Sequence, residues 1–173
     1  MKDRTYQTRH NLNFSGGSDA VRYYASLGFM KQGGVFNVDK DLNDYNTNTG
    51  MSVINLHSNV NVNVTKEFKV FADIKAKKVK STGASTSSDI TSTSPDAAVQ
   101  GILYALPNNV FQPFNINGDL AGASGYTNPY GYLNKSGFSN LETNYISTVI
   151  NLEYDLSKYL PGLIAFIDFG LNS

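Results

Sequence analysis

Between residues 58 and 78 the chain reads SNVNVNVTKEFKVFADIKAKK, alternating apolar and polar positions on both sides of a three-residue turn. Side chains of an extended strand point to opposite faces with period two. Val60, Val62 and Val64 therefore share one face, with Asn59, Asn61 and Asn63 on the other. After the turn, Phe68, Val70, Ala72, Ile74 and Ala76 repeat the pattern, with Lys69, Asp73, Lys75 and Lys77 opposite. The pattern predicts a hairpin with one dry face and one wet face.

Six segments alternate in this way. Their apolar sides carry Tyr6, Thr8, His10, Leu12 and Phe14; Val21, Tyr23, Ala25, Leu27 and Phe29; Ile54, Leu56, Ser58, Val60, Val62 and Val64; and Phe68 to Ala76 as above. The fifth carries Ile146, Thr148, Ile150, Leu152 and Tyr154, and the sixth Leu163, Ala165, Ile167, Phe169 and Leu171. None of these positions is Asp, Glu, Lys or Arg. The opposite sides hold groups suited to water, among them Arg9, Asn11, Asn13, Arg22, Asn55, His57, Lys75, Asn151, Glu153, Asp155 and Asp168.

The connections alternate in length. SGGSDA is short, residues 31–50 are long, Thr65 to Glu67 is short, residues 79–141 are very long, and LSKYLPG is short again. Outer-membrane barrels place short turns on one side of the bilayer and long loops on the other, whereas soluble sandwiches lack that rhythm. The strands are also expected to run about 10 residues or more, the length a tilted strand needs to cross a bilayer, against a usual length of about 5 to 6. The expected fold is all-β: antiparallel up-and-down strands of a transmembrane β-barrel, about six strands and therefore partial, with residues 79–141 as one long extracellular loop. Within that loop STGASTSSDITSTS is a polar, flexible stretch. Ser94 as cap and Pro95 at the first helical position predict a short helix through AAVQGILYAL, ended by Pro107. The Gly-, Asn-, Pro- and aromatic-rich remainder is expected to be ordered but irregular.

The totals narrow the function. A formal net charge of zero gives no electrostatic reason to expect nucleic acid as a partner. Cysteine is absent, which excludes disulfides, thiolate chemistry and cysteine-ligated zinc. The start, MKDRTYQTRHN, has charge but no apolar run after it, so neither a secretory signal nor a spanning helix is expected in these residues.

Candidate chemistry is sparse. Asp39, Asp41 and Asn43 match the first alternating ligands of a calcium loop, but Asp44 stands where glycine is needed and Gly50 where a bidentate Glu belongs. A solvated loop is the expectation there, and no metal or other cofactor is expected. His10 and His57 lie on separate strands without metal-ligand spacing. GASG at 122–125 lacks the spacing of a nucleophile elbow. Asp155 and Asp168 could approach across a hairpin as a glycosidase pair, although solvation on a wet face explains them more simply. No enzyme motif survives.

The aromatic residues Phe111, Phe114, Tyr126, Tyr130 and Tyr132 are interleaved with amides, among them Asn109 and Asn128. Flat rings with amide groups can grip a polar ring such as a sugar by stacking and hydrogen bonds. The plainer reading is that they hold a long loop together. Asn109, Phe111, Phe114, Tyr126, Asn128, Tyr130 and Tyr132 are the candidate substrate- or partner-binding residues.

The runs HNLNFSGGSDAVRYYASLGFMKQGGVF, ILYALPNNVFQPF, NPYGYLNKSGFS and INLEYDLSKYLPGL, in this order, resemble the SusC/RagA-like branch of TonB-dependent outer-membrane receptors. The resemblance implies import of glycan oligomers or peptides across the outer membrane of a Bacteroidetes-type bacterium. It also implies a SusD-like surface lipoprotein and an inner-membrane TonB complex as partners. By the same analogy residues 108–132 are the part to touch substrate or lipoprotein. Such transporters close as 22-stranded barrels around a plug, so six strands without plug or signal are expected to be a piece of one, contacting outer-membrane lipid. The other reading that the residues allow is a soluble antiparallel β-domain, its uncharged face buried as a sandwich, binding glycans through the aromatic loop.

Overall fold

A computed structural model of the chain describes residues 2–39, 41, 44–84, 95–107 and 109–173, with side chains excepted at 95–98. Six strands form: β1 (Gln7–Gly17), β2 (Val21–Gly33), β3 (Gly50–Asn63), β4 (Phe68–Ala84), β5 (Phe138–Asp155) and β6 (Ile164–Asn172). Each pairs with its neighbour in sequence, giving one up-and-down antiparallel sheet in the order β1-β2-β3-β4-β5-β6. The sheet is not closed, so β1 and β6 are its edges.

The alternation in sequence becomes a physical sorting of faces. In the β5–β6 register Ile150 lies opposite Phe169 and Leu152 opposite Ile167, while Asn151 lies opposite Asp168. On the uncharged face the His10 ring stacks on Phe29 and Phe68 tilts against Tyr154. On the polar face Tyr24 donates to Asn13 Oδ1, and its ring meets the His57 ring edge-on. His57 Nε2 reaches Asp73 Oδ2 at 3.0 Å, Lys69 Nζ reaches Glu153 Oε1 at 2.9 Å, and Asn151 donates to Asp168. All five strand junctions thus join like face to like face, as cross-strand pairing requires.

The three short connections are tied by local hydrogen bonds. Gly17 is fixed as glycine, because a Cβ there would lie 2.3 Å from the Val21 carbonyl oxygen. Thr65 Oγ1 accepts from the amides of Glu67 and Phe68, and Asp155 Oδ1 accepts from the Ser157 amide. These side-chain turns offer the backbone the partners it loses where a strand ends.

The chain divides into two compact units. One comprises Thr8–Lys31, Ser52–Val79 and Glu142–Ser173, the alternating strand segments. The other comprises Met1–Gln7, Gln32–Met51 and Lys80–Leu141, the long connections with the strand ends that carry them. The second unit holds a core in which Phe36, Ala84, Val99 and Leu133 pack together, with Val35, Val38 and Tyr132 against them. Two helices belong to it, α1 (Pro95–Ala105) and α2 (Pro129–Lys135). α1 matches the expected helix; Ser94, its expected cap, lies outside the described residues. α2 occupies a stretch expected to be irregular. Asn128 explains it: its Oδ1 accepts from the Tyr130 and Gly131 amides, and Pro129 follows at the first helical position.

Two boundaries also differ from expectation. β4 runs on to Ala84 and β5 begins at Phe138, so the long connection is 85–137 rather than 79–141. The connection 34–49 is not simply solvated, since Phe36, Thr47, Asn48 and Thr49 are buried and Asn48 Nδ2 donates to the Phe36 carbonyl at 2.8 Å.

Candidate functional site

Two surfaces stand out, the uncharged face of the strand unit and the aromatic loop. On the first, the side chains that alternation assigns to the dry side are open to solvent. Leu27 is 46% exposed, Ile150 37%, Ile167 67% and Phe169 62%, and Leu12, Phe14, Ile54, Leu56 and Leu171 are exposed as well. The two sides do not differ uniformly: in β2, Tyr24, Ser26, Gly28 and Met30 are half-buried while Val21, Tyr23, Leu27 and Phe29 are exposed, whereas in β4 Phe68, Val70, Ala72 and Ala76 are half-buried and Lys69, Lys75 and Lys77 exposed. A sheet that covers its own apolar row would leave fewer such side chains open. Burying a Leu, Ile or Phe side chain is worth about 1.5–3 kcal/mol, so these nine half-exposed ones forgo on the order of 10 kcal/mol, as much as the whole stability of a typical domain. A contiguous exposed apolar face of this kind marks an interaction surface.

That face has two distinct ends. Where the strands meet the short turns it carries Phe14, Tyr23, Phe68 and Tyr154. Toward the long connections the first charges on the same face are Lys31, Lys78 and Glu142, and Lys78 pairs with Glu142. From Val21 to Phe29, or from Ile146 to Tyr154, the uncharged run extends roughly 27 Å along the strand. Tilted by about 40°, such a run spans roughly 20 Å, close to the apolar band of an outer-membrane barrel, which is also bordered by aromatic girdles. No described helix is long and apolar enough to cross a membrane, which says nothing of strands.

The aromatic loop is built around Asn128. Besides capping α2, its Nδ2 donates to the carbonyls of Pro113 and Ala121, both at 2.8 Å, which fastens two loop strands to the helix start. Phe114 meets Tyr130 edge-to-face with centroids 4.8 Å apart. The Tyr130 hydroxyl donates to Asp39 Oδ2 at 3.4 Å, and partial burial, then the Asp39 carboxylate, hold this phenol above its usual range. Burial likewise raises Tyr132, whose ring packs on the Phe36 cluster. Of the seven candidates, then, Phe114, Asn128 and Tyr130 come together. Tyr132 turns inward, Tyr126 is an exposed turn residue, Asn109 is exposed, and Phe111 is half-buried.

The remaining chemistry separates. Asp155 pairs in register with Ile164, four steps from the Asn151–Asp168 pair. That distance is roughly 13 Å, beyond the carboxylate spacing of either glycosidase mechanism. In the acidic stretch Asp39 Oδ1 accepts from the Asp41 amide, and Asn43 lies outside the described residues. The His57–Asp73 hydrogen bond was missed in the sequence, although counting back from the Val64–Phe68 hydrogen bond puts His57 opposite residues 73–75 on the polar face. Compared with protein families, with curated proteins and with solved structures, the chain matches none.

Proposed function

We propose that the chain is a section of an outer-membrane β-barrel wall carrying an extracellular loop system, with its uncharged face against lipid and its amide-rich face toward an aqueous lumen. The observation that carries this reading is the exposure of Leu27, Ile150 and Phe169 on a charge-free face. The resemblance in sequence extends the reading to a SusC/RagA-like TonB-dependent transporter for glycan oligosaccharides or peptides. Its partners would be a SusD-like surface lipoprotein and the TonB complex, and residues 108–132 would meet substrate or lipoprotein.

A soluble glycan-binding β-domain is the rival, favoured only by the Phe114–Tyr130 ring pair beside Asn128. It requires the uncharged face to be covered by the chain itself, and exposure of that face speaks against it. The two readings part on partition. The wall reading predicts that the purified chain needs detergent or lipid to stay dispersed and resists alkaline extraction from membranes. Recovery as a folded monomer in buffer would overturn it. The receptor assignment is then tested by retention of a SusD-like lipoprotein on the lipid-embedded chain, and loss of that retention in F114A/Y130A is the expected result.

A further inference from the structure

Both edges of the strand unit are open. β6 is 9 residues long, IAFIDFGLN, with neither Lys nor Pro, and it pairs with β5 in an unbroken register, so no bulge turns it aside. An edge of this length without such features presents a row of backbone donors and acceptors that another strand can take up. β1, at the other edge, likewise has neither Lys nor Pro. Because the six strands alternate in direction, β1 and β6 run opposite ways. A second copy can therefore lay its β1 along β6 with the antiparallel order and the side of the short turns both preserved.

The side chains of the two edges fit each other. β1 carries one cation, Arg9, and β6 one anion, Asp168, both on the polar side. Among the described ion pairs Arg9 has no carboxylate, and Asp168, whose Oδ1 accepts from Asn151, keeps Oδ2 without a described partner. Two registers keep like face to like face and give every residue of β6 a partner within β1. In the first, Asn172 lies opposite Gln7 and Ile164 opposite Ser15, which sets Phe14 against Ala165 and Leu12 against Ile167 on the uncharged side. Arg9 then lies over Gly170, where nothing stands within 4 Å of a Cβ position, and diagonally beside Asp168, within reach of a long side chain. In the second register the two charges stand roughly 13 Å apart along the strands, so charge selects the first.

We propose that the strand unit pairs with a second copy of itself, β1 of one copy adding to the β6 edge of the next with Arg9 beside Asp168, a head-to-tail contact that each copy repeats. In the wall reading a second copy thus supplies the neighbouring strand; the pairing itself depends on the edges and not on what covers the uncharged face. The test uses the full chain in detergent micelles, where no native cysteine interferes. N13C/F166C places two cysteines directly opposite across the proposed contact, at a spacing a disulfide accepts, and on opposite edges of any single copy. Mild oxidation should give a reducible ladder of covalent oligomers, and the out-of-register pair N13C/N172C about tenfold less. By analytical ultracentrifugation R9D should weaken association about threefold, the scale of an exposed charge pair, and the swap R9D/D168R should restore it. Circular dichroism of each variant confirms folding, and the swap supplies a second reading if R9D misfolds. A ladder equally strong in the out-of-register pair, R9D association equal to that of the parent, or a parent chain that stays monomeric at every concentration would overturn the proposal and leave the β6 edge to a different strand. A monomer that needs detergent sinks the pairing and leaves the wall reading standing, whereas an oligomer recovered in buffer does the reverse.

Discussion

The loop unit and the strand unit solve the problem of apolar surface in opposite ways. In the loop unit Phe36, Ala84, Val99 and Leu133 meet one another and exclude water. In the strand unit Val53 is the buried hydrophobic residue among those described, while rows of Leu, Ile, Val and Phe remain exposed. The difference teaches that alternation specifies which side chains share a face, but not what covers that face. The loop unit is stabilised by its own packing. The strand unit leaves its apolar rows open.

The sharpest break of that contrast is a charge on the uncharged face. Ile150→Arg should cost about 2–4 kcal/mol of folding stability in lipid vesicles, as it would near a bilayer midplane, while Asn151→Arg on the other face should cost less than about 1 kcal/mol. Urea titration of vesicle-embedded protein measures both, and equal costs would erase the distinction between the faces. In the loop unit Leu133→Ala should destabilise by about 2–3 kcal/mol through the cavity it leaves, at the low end because the cluster is small. That loss should appear equally in micelles and vesicles, since this core supplies its own apolar phase. Asn128→Ala should cost about 1 kcal/mol as a lost helix cap, read as faster amide exchange at Tyr130 and Gly131.

The smallest effect concerns pH. Tyr130 and Tyr132 have phenols raised above the ordinary tyrosine value of about 10. A raised folded value means that the folded state holds the proton more tightly. The associated stability is therefore complete below the unfolded value and is lost as pH rises through the folded one. Alkaline titration of tyrosine absorbance should show late-ionising phenols, and Tyr130→Phe should remove one of them.

How much of this was legible in the sequence follows from the kind of signal each element emits. The six strands were readable because period-two contrast between Val or Ile and Asn or Lys is strong over many residues. Their far ends were not, because KVKSTGA and the start of β5 have polar residues on both faces and so no contrast. α1 was bracketed by Pro95 and Pro107. α2 is too short for apolar periodicity, yet its Asn128–Pro129 start was a usable cap signal. The loop core was invisible, since Phe36, Ala84, Val99 and Leu133 lie far apart in the chain and meet only in three dimensions. The buried segment Thr47–Asn48–Thr49 looked like a solvated loop. It is drawn in where Gly34 lets the backbone approach: a Cβ there would sit 2.1 Å from both Asn48 Oδ1 and the Thr49 carbonyl. Within the candidate site the composition showed that rings and amides cluster, but not that Asn128 would serve as a fastening or that Tyr132 would turn inward.

The central claim is that the two faces of the strand unit meet different media, and the absence of native cysteine makes it directly measurable. Single cysteines at Ile150, Asn151, Asp168 and Phe169, spin-labelled in lipid vesicles, report collision rates with oxygen and with a water-soluble nickel complex. The account predicts oxygen-dominated relaxation at positions 150 and 169 and nickel-dominated relaxation at 151 and 168, a period of two across the β5–β6 pair. Nickel access at all four positions, or protection from both reagents at 150 and 169, would contradict it.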